Sequence, residues 1–448
     1  MSAAQVQPIT FRAAWRFWLK LGFISFGGPA GQIAIMHQEL VERRHWISER
    51  RFLHALNYCM VLPGPEAQQL ATYIGWLMHR TRGGIVAGAL FVLPSLLILI
   101  GLSWIYIAFG EVPAVAGLFY GIKPAVTAIV VQAAHRIGSR ALKNPLLWAI
   151  AAAAFVAMFA LNVPFPLIVA IAAATGYVGG RVAPDKFQLG GGHGTAKQSY
   201  GPAFIDDNTP TPPHAVFSAA KLLMVVTSGA AMWLLPMALL TLTFGWQHTL
   251  TQMGWFFTKA ALVTFGGAYA VLPYVYQGAV LQYQWLTPTQ MIDGLALGET
   301  TPGPLIMVVA FVGFVGGYVS AETQILFGSG SPFVAGATAA SLVTWFTFLP
   351  SFLFIFAGGP LVETTRNDLK FTAPLTTITA AVVGVILNLA LFFGYHVLWP
   401  KGIHGPFDWV SAAMTLAAAL ALFGFKRSVI QVIGASAVVG LLVTLLRA

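Results

Sequence analysis

The sequence predicts an all-α polytopic membrane protein of two homologous halves, arranged as inverted repeats with broken or re-entrant helices. Three observations lead there. Of the 448 residues, 57% are hydrophobic and only 8% charged, whereas soluble domains carry about 25% charged residues. Apolar stretches recur along the whole chain, and a run of about 18 apolar residues is long enough to cross a bilayer. Several short motifs also occur twice at one constant spacing of 239 residues.

The apolar segments run over 13–36, 53–79, 84–109, 113–134, 146–161 and 164–180 in the first half. A single segment follows at 216–245. Six more lie at 252–275, 290–319, 332–358, 372–398, 406–424 and 428–446. Between them, 181–213 carries "GGGHG" and "TPTPP", compositions that cannot form a regular packed element. It reads as a linker. The expected division is therefore a first repeat over 1–180, a linker plus connecting helix over 181–250, and a second repeat over 251–448. Residues Met1 to Thr10 lack the charged region, apolar core and cleavage site of a secretory signal, so the first apolar segment is expected to be retained.

The formal charge of +10 would suggest nucleic acid in a soluble protein. Here the basic residues sit mostly in short loops between apolar segments, which is a topology signal. No nucleic-acid partner is expected. The one cysteine, Cys59, excludes an intramolecular disulfide and a thiolate metal cluster. No P-loop, GxGxxG or nucleophile elbow occurs, and His37, His45 and His54 have no metal-ligand spacing. Neither an enzyme nor a cofactor is expected.

The repeat is the most informative feature. "SFGGPA" at 25–30 matches "TFGGAY" at 264–269, and "LPGPE" at 62–66 matches "TPGPL" at 301–305. Trp46 with Ile47-Ser48 matches Trp285 with Leu286-Thr287, again 239 residues on. After an insertion, "FVLPS" at 91–95 matches "TFLPS" at 347–351. One crossing at 216–245 would invert the second half, a common build of secondary transporters. If all thirteen segments cross, the loop 37–51 with Arg43, Arg44, Arg50 and Arg51 falls on the wrong side for the positive-inside rule. Letting the first two segments dip in and return moves that loop and the Arg80/Arg82 turn inside without flipping anything downstream. The re-entrant arrangement is therefore preferred.

The motifs "FGGPAGQIAIMHQELVERRHW" at 26–46, "LPGPEAQQLATYIGW" at 62–76, "TFGGAYAVLPY" at 264–274 and "TTPGPLIMVVAFVGF" at 300–314 carry a resemblance that covers both halves. The chain resembles the long-chain chromate ion transporters. That resemblance implies a multi-pass protein of the inner membrane that exports chromate, driven by the chemiosmotic gradient, and so confers chromate resistance. The residues themselves do not name the ion. Uptake or exchange of sulfate or another anion, and an anion channel, stay open as alternatives. The expected partners are an oxyanion and the lipid bilayer, with a homodimer as a candidate assembly.

A dianion inside a membrane needs hydrogen-bond donors, a cation and a route. Helix N-termini supply unpaired N–H groups and partial positive charge. Pro65 and Pro304 can start helices where a missing N–H is harmless. Gly64 and Gly303, with Pro63 and Pro302 before them, permit unusual dihedrals. The same role is open to Gly27-Gly28 and Gly266-Gly267. The plainer alternative is that these residues only kink helices or allow tight packing. Lys20 and Lys259 lie 239 residues apart, each the same distance before an FGG, and Lys123 is a third intramembrane lysine. Glu66 and Glu299 are coupling candidates, neither with an acidic repeat partner. Asn57, Gln68, Thr300 and Thr301 are uncharged groups for lining the route.

Overall fold

The computed structural model describes residues 8–26, 28–187, 200–326, 331–364 and 372–447. The first half contains α1 (Phe11–Ile24), α2 (Gly28–His37), α3 (Glu49–Val61), α4 (Glu66–Phe109), α5 (Pro113–Ala141), α6 (Pro145–Phe159) and α7 (Phe165–Val182). Helix α8 (Ala219–Phe244) leads to the second half. There follow α9 (Thr249–Leu262), α10 (Ala268–Tyr276), α11 (Pro288–Thr300), α12 (Val308–Val319) and the short α13 (Ala321–Leu326). The chain ends with α14 (Pro332–Thr364), α15 (Thr372–Leu398), α16 (Trp409–Phe423) and α17 (Val429–Arg447). Among the described residues, seven helices are long and apolar enough to cross a bilayer. Only 11% of the most apolar stretch of α8 is buried inside the protein, so its leucine-rich surface is left to face lipid.

Each motif-bearing apolar segment is two helices rather than one. The segment 13–36 is α1 and α2, parted at Ser25-Phe26; 53–79 is α3 and the start of α4, parted at the PGP. Their counterparts divide into α9 with α10, and α11 with α12. The first PGP leads straight into α4, whereas the second leads into a 3-10 turn, Leu305–Met307, before α12 begins.

The spacing of 239 residues recurs in the backbone. A π-helical turn covers Gln38–Arg43 and another covers Gln277–Gln282. Each is followed by a non-glycine residue with positive φ, His45 at 52° and Gln284 at 54°. The chain thereby hooks back, so that the N–H of Ile47 reaches the Leu40 carbonyl and that of Leu286 the Ala279 carbonyl. Next comes an N-cap whose hydroxyl accepts from the third helical N–H: Ser48 for α3 and Thr287 for α11. Such hydroxyls satisfy donors the helix cannot pair itself.

Helix α4 is not a rod. His79 (φ −135°, ψ 33°) and Arg80 (φ 58°, ψ −158°) break it. Thr72 and Gly88 would lie about 24 Å apart along a straight helix, yet a Cβ on Gly88 would fall 2.3 Å from Thr72 Oγ1. The two limbs therefore fold against each other as a hairpin. Gly75, Gly83, Gly84 and Gly88 line the contact, where small residues let backbones approach. In the second half, α12 and α14 pack the same way through Gly313 and Gly317 against Ala335, Ala339 and Ala340.

The linker expectation is corrected in part. Residues 188–199 lie outside the description, but 200–218 packs on the first half. Ile205 bridges Ile47, Asp207 accepts from the Ser48 hydroxyl at 2.6 Å, and the His214 ring meets the Trp76 carbonyl at 2.9 Å. Ile205 and Ala215 are buried. Isolated apolar residues among prolines carry no periodic signal, so the strap is invisible to pattern reading.

Replacing Gly88 with Leu should destabilise the fold by about 1–3 kcal/mol or more, the usual cost of overpacking. Gly101→Ala, with nothing within 4 Å of a new Cβ, should be neutral. Thermal melting of the detergent-purified protein checks both.

Candidate functional site

All four breaks are tips of hairpins. Helix α2 returns along α1, bringing Trp46 to 5.2 Å from the Phe17 ring and the Arg44 guanidinium over Phe17 at 5.0 Å. Tyr58 of α3 lies 5.9 Å from Tyr73 of α4. In the second half Tyr274 of α10 stacks on Phe256 of α9 at 4.7 Å. A Cβ on Gly294 of α11 would meet Phe311 of α12.

The tips hold one another across the halves. The N–H of Gly64, in the first PGP, donates to the carbonyl of Thr264, just before the second FGG, at 2.8 Å. The N–H of Gly303, in the second PGP, donates to the carbonyl of Ser25, just before the first FGG, at 2.8 Å. Each PGP glycine also abuts the serine of the other half's LPS motif. A Cβ on Gly64 would lie 2.4 Å from Ser351 Oγ, and one on Gly303 would lie 2.8 Å from Ser95 Cβ. Their φ values, 124° and 104°, exclude most side chains in any case. Ser351 stands twelve residues before Glu363 along α14, or about 18 Å, and Ser95 fifteen residues after Arg80 along α4, or about 22 Å. The crossover therefore sits well inside both long helices, away from those two charges.

Two glutamines clamp it from one half only. Gln32 donates to the carbonyls of Gly303 and Ser25, and Gln69 to that of Pro63 at 2.8 Å. Their counterparts are Val271 and Val308. Gln68 instead donates to Thr72 Oγ1 at 3.1 Å.

These contacts correct the expected division of labour. The PGP glycine N–H groups are already donated, so Pro63-Gly64-Pro65 and Pro302-Gly303-Pro304 form crosspieces rather than free cradles. Open space lies at the FGG breaks. Nothing stands within 4 Å of a Cβ on Gly28 (φ 68°) or Gly267 (φ 97°), and Gly266 (φ 78°) has only Thr379, at 3.6 Å. In the first turn of α10 the Ala270 N–H donates to the Gly267 carbonyl at 3.0 Å, which leaves those of Ala268 and Tyr269 outside the helical ladder, and in α2 Pro29 has no N–H to offer. Gly27 lies outside the described residues.

The charged candidates scatter. Lys20 is exposed on the outer face of α1, and the Lys259 ammonium lies 5.6 Å over the Trp255 ring. Lys123 lies 3.5 Å from Asp293, which also accepts from the Tyr106 hydroxyl at 2.8 Å. None of the three lysines is brought to the FGG openings. Glu66 is half-buried at the start of α4 and has no hydrogen-bond partner among the described residues. Glu299 is buried at the end of α11 and accepts from Tyr269, the second residue of α10. Asn57 is half-buried on α3. The hydroxyls of Thr300 and Thr301 donate back to their own helix, to Ala296 and Gly298.

Arg136, half-buried on α5, makes no ion pair or hydrogen bond with Glu299 or Tyr269, and its charge reaches them only at longer range. The expected apolar segment stopped at 134, so Arg136 fell in a presumed loop; α5 in fact continues to Ala141. A second buried pair, Arg51 with Glu363 at 2.9 Å, also received the Tyr73 hydroxyl, and no local pattern announced it. Among the described residues, no group of three or more His, Cys, Asp or Glu side chains gathers as a metal would require.

The comparisons with known proteins point one way. The family model described as "Chromate transporter" matches residues 12–177 and 251–441. A chromate transport protein of Cupriavidus metallidurans is 30% identical over 436 residues, 96% of this chain and 93% of that one. One from Pseudomonas aeruginosa is 32% identical over 381 residues, 85% of this chain and 80% of its own. A probable chromate transport protein of Synechococcus elongatus is 28% identical over 386 residues, 86% of this chain and 84% of its own. No solved structure matches.

Glu363→Gln would leave the buried Arg51 charge uncompensated, and removing one partner of such a pair costs about 3–5 kcal/mol. A melting temperature well below that of the parent protein is expected; an unchanged value would show the pair to be dispensable.

Proposed function

Because the chain belongs to the chromate transporter family, we propose that it exports chromate across the inner membrane by alternating movement of two inverted halves. It is a transporter of an oxyanion and not an enzyme. The observation that carries the reading is the reciprocal pair of hydrogen bonds, Gly64 to Thr264 and Gly303 to Ser25. They knit four hairpin tips together and leave the FGG helix starts facing open space.

In this reading the hairpins α1–α2 and α3–α4 re-enter from one face, and α9–α10 and α11–α12 from the other. Irregular backbone at membrane depth is tolerated where protein buries it or a water-filled cavity meets it. The anion takes the first-turn N–H groups of α10 beside Gly266 and Gly267, with Arg136 as its counter-charge. Glu299 stands on the far side of Tyr269 and repels the anion unless it is neutralised. The first-half opening at Gly28 offers a second stage on the route. Rocking of one half against the other then exposes the anion to the outside. Lys20, Lys123 and Lys259 are left to the interface or to ion pairing.

Vesicles of both orientations, given labelled chromate and sulfate, test direction and preference. Chromate accumulation in inside-out vesicles, exceeding that of sulfate, is expected. Equal flux of both ions without counterflow would indicate a channel. Arg136→Met should abolish accumulation while Lys20→Met leaves it near normal. For the inversion, single cysteines replacing Arg44 and Gln282 in a Cys59→Ala background should be labelled from opposite faces; labelling from one face would rule it out.

A further inference from the structure

Asp293 belongs to neither repeated motif. It lies in the middle of α11, eight residues before Thr301, and its counterpart in the first half is His54. Its side chain is only 2% exposed. Lys123 Nζ stands 3.5 Å from Oδ2, and the Tyr106 hydroxyl donates to that same oxygen at 2.8 Å. The other oxygen, Oδ1, is buried and has no hydrogen-bond partner among the described residues. Lys123 is 26% exposed, so the pair is sealed at the Asp293 end and open at the Lys123 end.

The groups that act on Asp293 are Lys123 from α5 and Tyr106 from α4, with Glu111 acting on the tyrosine. From α12 it is Phe311 that packs beside it, against Gly294. Lys123 is therefore the one cation paired with this buried carboxylate, helped by the Tyr106 hydroxyl. The other buried pair differs. Arg51 and Glu363 lie 2.9 Å apart, with side chains 7% and 2% exposed. A guanidinium keeps its proton at any physiological pH and presents a fork that fits a carboxylate, whereas a lysine is a single point charge. The two pairs also tie across the halves in opposite senses. Arg51 fastens the first-half hairpin to α14, and Asp293 fastens the second-half hairpin to α5 and α4.

We propose that Asp293 is the coupling-proton site of the transporter, an inference that rests on the transport reading above. Ionised, it holds Lys123 and Tyr106 and pins α11. Taking a proton on Oδ1, it loses the attraction to Lys123, and α11 is released together with the TPGP crosspiece at its end. The proton leaves when the pair with Lys123 re-forms. The Arg51–Glu363 pair, at 2.9 Å, keeps the first-half hairpin in place, so one arm moves against a held frame. A buried carboxylate with a vacant oxygen, a single movable cation and a direct helical link to the crossover is what such a device requires.

The test uses the full chain in liposomes with an imposed pH gradient and chromate as cargo. Asp293→Asn should keep chromate–chromate exchange but lose gradient-driven accumulation, and Asp293→Glu should restore it. Driven accumulation by Asp293→Asn at the parent level would overturn the proposal. A second readout does not depend on cargo. Infrared difference spectra taken across a pH titration should contain a protonated-carboxyl band that Asp293→Asn lacks. In Lys123→Met that band should persist to higher pH, because the cation favouring the ionised form is gone. A band unchanged in both variants refutes the assignment. A parent protein with this titrating band but no chromate flux would refute the cargo and leave the proton site standing.

Discussion

A broken helix in a lipid interior leaves N–H and C=O groups that water cannot reach, and each buried unpaired group costs about 1–3 kcal/mol. This chain breaks its helices at four motifs, and the breaks satisfy one another. Gly64 donates to Thr264 and Gly303 to Ser25. Because each bond joins opposite halves, neither half completes its own backbone alone. The positive φ of both glycines, the close approach of Ser95 and Ser351, and the clamps from Gln32 and Gln69 all follow from bringing four tips to one place.

The charges are arranged around that crossover rather than in it. Arg51–Glu363 and Lys123–Asp293 each fasten a hairpin of one half to through-going helices packed on it. Buried ion pairs contribute little net stability against well-packed apolar residues, but they are costly to leave half-broken. That makes them suited to holding a mobile element in defined positions. The family to which the chain belongs needs such an element, because an oxyanion has to be released as well as bound.

The two halves share a backbone plan and differ in their chemistry. The π-turns, hooked His45 and Gln284, and hydroxyl caps recur at 239 residues. The polar groups do not: Gln32, Gln69, Arg136 and Asp293 each stand in one half alone.

The membrane class and the helix breaks at the glycine and proline motifs were legible from residue order. Each rests on local composition or on a short pattern that repeats. Proline and glycine disrupt a helix wherever they stand, and lysines spaced alike are visible on the page. What tertiary structure alone decided is which break meets which. Gly64 pairs with a carbonyl 200 residues away, and Asp293 with a lysine 170 residues earlier. Nothing local encodes those partners, since they follow from how the hairpins of the two halves interleave. The same packing joined the PGP glycines to the other half, left open space at the FGG breaks, and carried α5 past Arg136.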